Sequence, residues 1–226
     1  LVEPRYKTDV RLFYTDEGLY IAAFMEQPKD TLVSRLSSRD QFINRDEFGI
    51  TLDTSGEGLY GYWFVSNLGG SVMDGKVAPE RQFSREWDGP WLSATAEVEG
   101  GWSTEMFLPW SMMTMATVER GERKLGFWMM RKVAYLDERW SWPALPFTSK
   151  RFMSALPNMR TPDVQPKQQV SFFPYVSAAR NEITGEDDYR VGADVSWRPS
   201  SNVQLTAAIN PDFGAVESDD VVVNLT

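Results

Sequence analysis

The chain has 226 residues, of which 42% are hydrophobic and 24% charged, and its formal net charge is −9. Such a composition is typical of a folded protein, and the length suffices for one large β domain or two smaller ones. The negative charge, with no basic stripe to offset it, argues against nucleic acid as a partner. The absence of His and Cys excludes a Ser-His-Asp triad, a thiol nucleophile, a disulfide and a zinc site built on His or Cys.

Short runs of alternating apolar and polar residues, separated by Gly-bearing turns, predict antiparallel strands along the first two thirds of the chain. In the strand over 47–54, the apolar residues are expected to face the core, and the alternate residues, such as Glu47, Thr51 and Asp53, to point outward. In chain order, we predict strands over 9–14, 19–25, 47–54, 59–67, 93–98, 102–108 and 125–136. A loop or a short helical turn is predicted over 30–46, and an irregular loop over 75–90.

The segments after residue 108 are less regular. Residues 109–113 predict a single helical turn, because proline is well tolerated at the first helical position. A looser region is expected to begin at 140–143, and the Pro-spaced segment 157–166 predicts a linker. Regularly spaced strands with almost no helix indicate an antiparallel sandwich or jelly roll.

Three further strands are predicted over 170–180, 189–198 and 203–210. The last two alternate strictly, with one apolar and one polar side. Their lengths are close to the 9–11 residues that a tilted strand needs to cross a bilayer, and Tyr189 and Trp197 stand where interfacial aromatic residues would. A half-buried strand pair of a soluble sandwich has the same pattern, so the pattern alone leaves both interpretations open.

Five local motifs occur in one order along the chain, at 45–54, 62–70, 87–91, 101–110 and 210–214 (Asn-Pro-Asp-Phe-Gly). Together they resemble a bacterial family in which a module similar to the family 9 carbohydrate-binding modules precedes an outer-membrane β-barrel. The resemblance covers nearly the whole chain. It implies a β-sandwich over 1–160, a linker over 161–169 and the start of a barrel over 170–226, with export to the outer membrane and no established catalytic centre.

The sequence departs from that family in two places. The strand that usually opens the sandwich, with its Asp-Gly and Trp, is missing before Leu1. About three barrel strands are present, whereas even small barrels need eight. We therefore expect the chain to be a fragment of a longer protein.

A sugar site on such a sandwich would combine aromatic rings, which stack on the apolar face of the sugar, with polar side chains that bind its hydroxyls. Trp63, Trp102 and Trp128 lie within predicted strands and are expected in the core. The predicted ligand-binding residues are the loop tryptophans Trp87, Trp91, Trp140 and Trp142, with Asn67, Asp74, Asp88 and Arg131. The alternative is that these tryptophans pack between loops.

Acidic side chains could serve as calcium ligands or as a catalytic acid. Related modules carry structural calcium, and oxygen ligands for that ion could come from Asp40, Asp46, Glu47 and Asp53. The alternative is that these residues are polar only because they lie at the outward face of a strand. Glu105 is the best candidate acid for glycoside hydrolysis, but the sequence contains no recognisable partner carboxylate, so we expect no enzyme activity.

The sequence thus predicts an all-β chain, an antiparallel jelly-roll β-sandwich followed by the first strands of an outer-membrane β-barrel. The predicted function is non-catalytic binding of a glycan at the envelope of a Gram-negative cell. The alternative is a structural or protein-interaction domain that docks on the barrel or on an envelope partner and has no sugar site.

Overall fold

The computed structural model describes residues 4–115, 122–145, 150–162, 164, 169–180, 185, 187–200 and 203–210. The chain divides into two compact units, Leu1–Lys167 (unit 1) and Gln168–Thr226 (unit 2). Within the described residues, no helix is both long and apolar enough to span a membrane.

Unit 1 is a sandwich of two antiparallel sheets. Its strands are β1 (Thr8–Tyr14), β2 (Gly18–Glu26), β3 (Glu47–Asp53), β4 (Gly61–Asn67), β5 (Val72–Ala78), β6 (Gln82–Ser84), β7 (Leu92–Val98), β8 (Gly101–Pro109), β9 (Glu122–Val133), β10 (Glu138–Trp142) and β11 (Asn158–Pro162). Sheet A has the order β1-β2-β8-β7, and sheet B has the order β10-β9-β3-β4-β5-β6, with β11 also pairing with β9.

The main hydrophobic core lies between the two sheets. Leu19 and Ile21 of β2 and Phe48 and Ile50 of β3 are buried there, on the faces that their alternation predicted. Each such side chain contributes about 1.5–3 kcal/mol when fully removed from water. The prediction of an all-β sandwich is confirmed, as are the hairpins of sheet A and the single helical turn, which spans Trp110–Met112.

Three segments predicted as irregular are strands. The loop predicted over 75–90 contains the end of β5 and all of β6, and the looser region predicted to begin at 140 contains the last three residues of β10. Residues 158–162 pair with β9, so the predicted linker begins too early. These strands are only three to five residues long at their sheet's margin, where charged and Pro residues are favoured and the alternating pattern is weakest.

Sheet B is covered on both faces. All seven residues of β3 and all seven of β4 are buried. A second hydrophobic cluster, which includes Trp63, Val65 and Met73, packs beneath Phe152 and Met153 on the face turned away from sheet A. Glu47, Thr51 and Asp53 point to this outer face, as predicted, but they are buried because residues that follow β10 in the chain cover it.

Unit 2 is a three-stranded antiparallel sheet, sheet C, of β12 (Gln169–Arg180), β13 (Asp187–Ser200) and β14 (Val203–Ile209). Tyr175 lies over Gly192, where a Cβ atom would collide with its ring, and its hydroxyl donates to the carbonyl oxygen of Asn210. A glycine beneath an aromatic ring is a device that fixes strand register. Of the motif at 210–214, only Asn210 belongs to the described residues.

Candidate ligand-binding cleft

A cleft of about 400 Å³ opens on the outer face of sheet B. Its volume lies within the range of small-molecule sites, about 300–1,000 Å³. Strand register arranges the side chains of this face in three rows that run from strand to strand. They are the charged row (Asn67, Glu47, Lys132, Arg139), the apolar row (Met73, Val65, Gly49, Met130, Ser141) and the tryptophan row (Trp63, Thr51, Trp128).

The tryptophan row closes one end of the cleft. Trp128 packs edge-to-face on Phe152, with ring centroids 5.3 Å apart, and Phe83 packs on the same ring at 5.5 Å. The indole Nε1 of Trp63 donates to the carbonyl oxygen of Ser84 at 3.2 Å. Phe83 is 47% exposed, so this wall of packed rings offers at least one accessible aromatic surface.

The apolar row forms the floor, and its depth depends on Gly49. A Cβ atom at this position would lie 2.9 Å from Cγ2 of Val65 and 3.0 Å from the carbonyl oxygen of Phe64. Any side chain here would therefore push against the neighbouring strand and fill the space. Because alternate residues along a strand are about 7 Å apart, the charged and tryptophan rows lie about 13 Å apart on either side of this floor.

The charged row closes the other end, and Glu47 is its most unusual member. Glu47 is 3% exposed, yet among the described residues its carboxylate makes neither a hydrogen bond nor an ion pair. Burial raises the pKa of Glu47, and the nearby charges of Lys132, Arg139 and Arg45 only partly oppose this shift. The carboxylate lines the cleft, so a ligand bound there can supply the hydrogen bonds that the described residues do not.

Asn67 lies next to Glu47 in the same row and is likewise incompletely paired. Its Nδ2 donates to the carbonyl oxygen of Ser71 at 2.9 Å, whereas its Oδ1 is buried and has no hydrogen-bond partner. The two side chains face each other across β3 and β4. Of the polar residues predicted to bind a ligand, Asn67 is the one that the fold brings to this row.

The four tryptophans predicted to bind a ligand do not share one face. Trp87 and Trp91 pack on the core ring of Phe64, with centroids 6.1 and 5.4 Å away. Trp142 is 57% exposed and its ring packs at a tilt on Phe127, and Trp140, which lines the cleft, donates from its indole nitrogen to Glu138. Trp140 and Trp142 belong to β10 and not to a loop.

Asp74 and Asp88, also predicted to bind the ligand, form a structural cluster instead. Arg39 contacts Asp74 at 2.6 Å and Asp88 at 2.8 Å. Asp74 also accepts from the backbone N–H of Gly89 at 2.7 Å, and its own backbone N–H donates to Asp40 at 2.9 Å. Burial raises the pKa of Asp74. The cluster links β5 to the loop that contains Arg39 and Asp40 and to the loop that contains Asp88 and Gly89.

Arg131, another predicted ligand residue, links the two sheets. It is 3% exposed and donates to the carbonyl oxygen of Glu26 at 2.7 Å and to Oε1 of Gln27 at 3.0 Å. Gln27 in turn donates to Asp46 at 3.1 Å. Burial lowers the pKa of Arg131 to about 10. Both terminal nitrogens of its guanidinium donate to residues of β1, β2 and the segments next to them, so Arg131 is a structural residue.

The residues present do not fit the calcium site that the sequence suggested. Asp46 accepts from the backbone N–H groups of Val33 and Ala134, and the carboxylate of Asp53 accepts the backbone N–H groups of the turn that follows β3. Among the described residues, the carboxylates close enough to share an ion are Asp40, Asp74 and Asp88. The guanidinium of Arg39 lies within 3.9 Å of all three. The predicted set Asp40, Asp46, Glu47 and Asp53 does not come together in one site.

Sequence reasoning missed most of the residues that line the cleft. Trp63 and Trp128 are largely buried, as predicted for tryptophans within strands, but they lie on the outer face of sheet B rather than between the sheets. The sequence feature that could have indicated this position is the pair of unbroken apolar runs 62–65 and 127–130. Such runs are typical of strands covered on both faces. Glu105, the candidate acid, is exposed on sheet A and lies opposite Ala22 and Ala94, away from the cleft.

Comparison with solved structures identifies the fold. The chain is similar to a family 9 carbohydrate-binding module from Caldicellulosiruptor kristjanssonii solved in complex with cellotriose, at 12% identity and a TM-score of 0.50, over 70% of this chain and 75% of that one. A candidate carbohydrate-binding protein from Bacteroides uniformis matches at 13% identity and a TM-score of 0.52, over 66% of this chain and 74% of that one. The sandwich has the fold of the family 9 carbohydrate-binding modules.

The two sequence comparisons add a match only for the C-terminal part. Residues 166–226 match a family described as a domain of unknown function, DUF5916. No curated protein matches the chain. For the sandwich, the similarity to known proteins is therefore one of fold.

Proposed function

We propose that unit 1 is a non-catalytic carbohydrate-binding module whose ligand lies in the cleft on the outer face of sheet B. The observation that carries this proposal is the carboxylate of Glu47, which lines the cleft and, among the described residues, makes neither a hydrogen bond nor an ion pair. A sugar hydroxyl can donate to such a carboxylate, and the apolar floor and aromatic wall suit the C–H face of a sugar ring. The shared fold with modules that bind carbohydrate supports the same assignment.

The proposal is tested by comparing two exposed phenylalanines on edge strands. Phe83 of β6 lines the cleft, whereas Phe13 of β1 lies on the solvent face of sheet A. Isothermal titration of the full chain with neutral and acidic oligosaccharides should show binding that Phe83→Ala weakens about tenfold and Phe13→Ala leaves unchanged. Absence of binding to every oligosaccharide, or equal loss in both variants, would contradict the proposal.

The second candidate, a protein-interaction domain, is favoured by a different surface. Phe13, Tyr20 and Phe107 stack across β1, β2 and β8 on the solvent face of sheet A, each pair of ring centroids 4.6 Å apart. Phe13 is 60% exposed, and exposed aromatic patches are typical of interaction sites. Absence of glycan binding in the titration above would favour this candidate.

We further propose that unit 2 belongs to the membrane-embedded part of an outer-membrane protein. One face of sheet C carries apolar residues along all three strands, and the exposed ones include Val170, Phe172, Val176, Tyr189, Val191, Trp197, Leu205 and Ile209. The other face carries Arg190 and Asp194 of β13. This division is the one expected where lipid contacts one side of a barrel wall and water the other.

Flotation of the full chain with lipid vesicles tests the membrane proposal. Val176→Arg and Ser177→Arg introduce the same charge at neighbouring positions of β12, on the apolar and the opposite face respectively. We expect the first to reduce vesicle binding at least tenfold, because an Arg on the lipid-facing side costs about 2–4 kcal/mol at mid-bilayer, and the second to have little effect. Equal binding of both variants, or no binding by the unsubstituted chain, would contradict the proposal.

A further inference from the structure

We infer that the glycan bound in this cleft is acidic, with a carboxylate or sulfate group that binds Arg139 and Lys132. This inference rests on the proposed carbohydrate-binding function and names the class of its ligand. The observation behind it is the charged row, in which Glu47, Lys132 and Arg139 lie on neighbouring strands. Among the described residues, these three side chains do not form ion pairs with one another.

The cleft is locally cationic in an acidic chain. Its lining contains Arg81, Arg139 and one carboxylate, that of Glu47, whereas the whole chain carries a formal charge of −9. Lys132 lies directly between Glu47 and Arg139 in the register of β3, β9 and β10. Its position adds a further positive charge beside the cleft, so the local field favours an anionic ligand.

Among the described residues, two of these cations make no close contact with an anion. Lys132 is 8% exposed, and neither its ammonium nor the guanidinium of Arg139 makes a hydrogen bond or an ion pair there. Arg160 of the neighbouring strand β11, by contrast, pairs with Glu122 at 3.1 Å. Glu47 is near enough to attract both cations through space but pairs with neither, so both can bind an anionic group of a ligand.

Glu47 does not supply that anion. It faces Lys132 across β3 and β9, but the two charged groups are not within ion-pair distance. The carboxylate and the two cations are therefore all available to a ligand at once. A sugar with one acidic group satisfies both requirements, since its hydroxyls donate to Glu47 while its anionic group accepts from Arg139 and Lys132.

The experiment compares oligogalacturonate with its methyl ester, which keeps the sugar ring and removes the charge. Titration of the full chain should show about tenfold tighter binding of the acid, an advantage that falls as salt is raised toward about 1 M. Arg139→Gln should abolish the advantage, and Arg160→Gln, a matched exposed arginine outside the cleft, should preserve it. A sulfated oligosaccharide of similar length identifies which anionic group is preferred.

The outcomes separate the two proposals. Equal affinity for acid and ester would overturn the inference and leave carbohydrate binding intact, as would an advantage that survives Arg139→Gln. No binding of acid, ester, sulfated or neutral oligosaccharide would overturn the proposed function itself.

Discussion

Replacement of Asp46 by Ala is expected to lower the free energy of unfolding of unit 1 by about 3–5 kcal/mol. Asp46 is fully buried, and its carboxylate accepts three hydrogen bonds, from Nε2 of Gln27 at 3.1 Å and from the backbone N–H groups of Val33 and Ala134 at 2.8 Å each. The truncation leaves two buried backbone donors without an acceptor. It also breaks the chain of contacts that joins Arg131 and Gln27 to the start of β3.

Urea unfolding at neutral pH measures this loss. Asp9→Ala is the matched control, because Asp9 pairs with Lys7 at the surface and its side chain is 52% exposed. We expect the control to change the free energy of unfolding by less than about 1 kcal/mol. A loss below about 1 kcal/mol for Asp46→Ala would mean that water replaces its hydrogen bonds and that the network does not hold the sheets together.

Replacement of the next residue, Glu47, by Gln is expected to have the opposite effect on stability. Among the described residues, the carboxylate of Glu47 makes no hydrogen bond or ion pair, and burial of the residue raises its pKa. Removal of its charge should therefore stabilise unit 1 by about 1 kcal/mol. The same substitution should weaken glycan binding about tenfold, because a charged acceptor is replaced by a neutral amide. A gain in stability together with a loss of binding is characteristic of a residue retained for function.

The stability gain should depend on pH, in a direction that follows from the raised pKa of Glu47. An acid whose pKa is raised by folding binds more protons in the native state, so its contribution to stability is present below about pH 4.5 and is lost as pH rises through the raised value. The charged groups around it are Lys132, Arg139, Arg45 and Asp46. The difference in stability between Glu47→Gln and the unsubstituted chain should therefore be near zero at low pH and grow toward neutrality.

Urea unfolding of the two chains at matched pH values checks this dependence. The other carboxyls with raised pKa, Asp40 and Asp74, are common to both chains and cancel in the difference. A difference that is largest at low pH, or independent of pH, would show that the carboxylate of Glu47 finds a partner in the folded chain.

Sequence periodicity was most informative where a strand has one buried face and one solvent-exposed face. β1 and β2 alternate because sheet A faces the core on one side and water on the other. The same reasoning failed for β3, since alternation alone cannot tell whether the polar side of a strand meets water or a further layer of chain. It also failed for β6, whose three residues are too few to show a period.

The candidate site depended on which face of sheet B each ring occupies. Tryptophans in loops were expected to bind ligand and tryptophans in strands to fill the core. In the fold, Trp87 packs toward Phe64, whereas Trp128 lies on the outer face beside the cleft. Which strand residues share a face follows from the alternation along the strand. Which face of the sheet a loop covers depends on contacts between residues far apart in the chain.

The sequence by itself determined the all-β class, the main strands of the sandwich and the chemistry excluded by the absence of His and Cys. Each of these follows from local period or composition. Only the tertiary structure decided that residues 150–156 cover one face of sheet B and leave a cleft beside them, and that Asp46 is fully paired while Glu47 is not. Adjacent residues of a strand point to opposite faces, so their partners come from different layers of the fold, and those layers are assembled by contacts that no local pattern records.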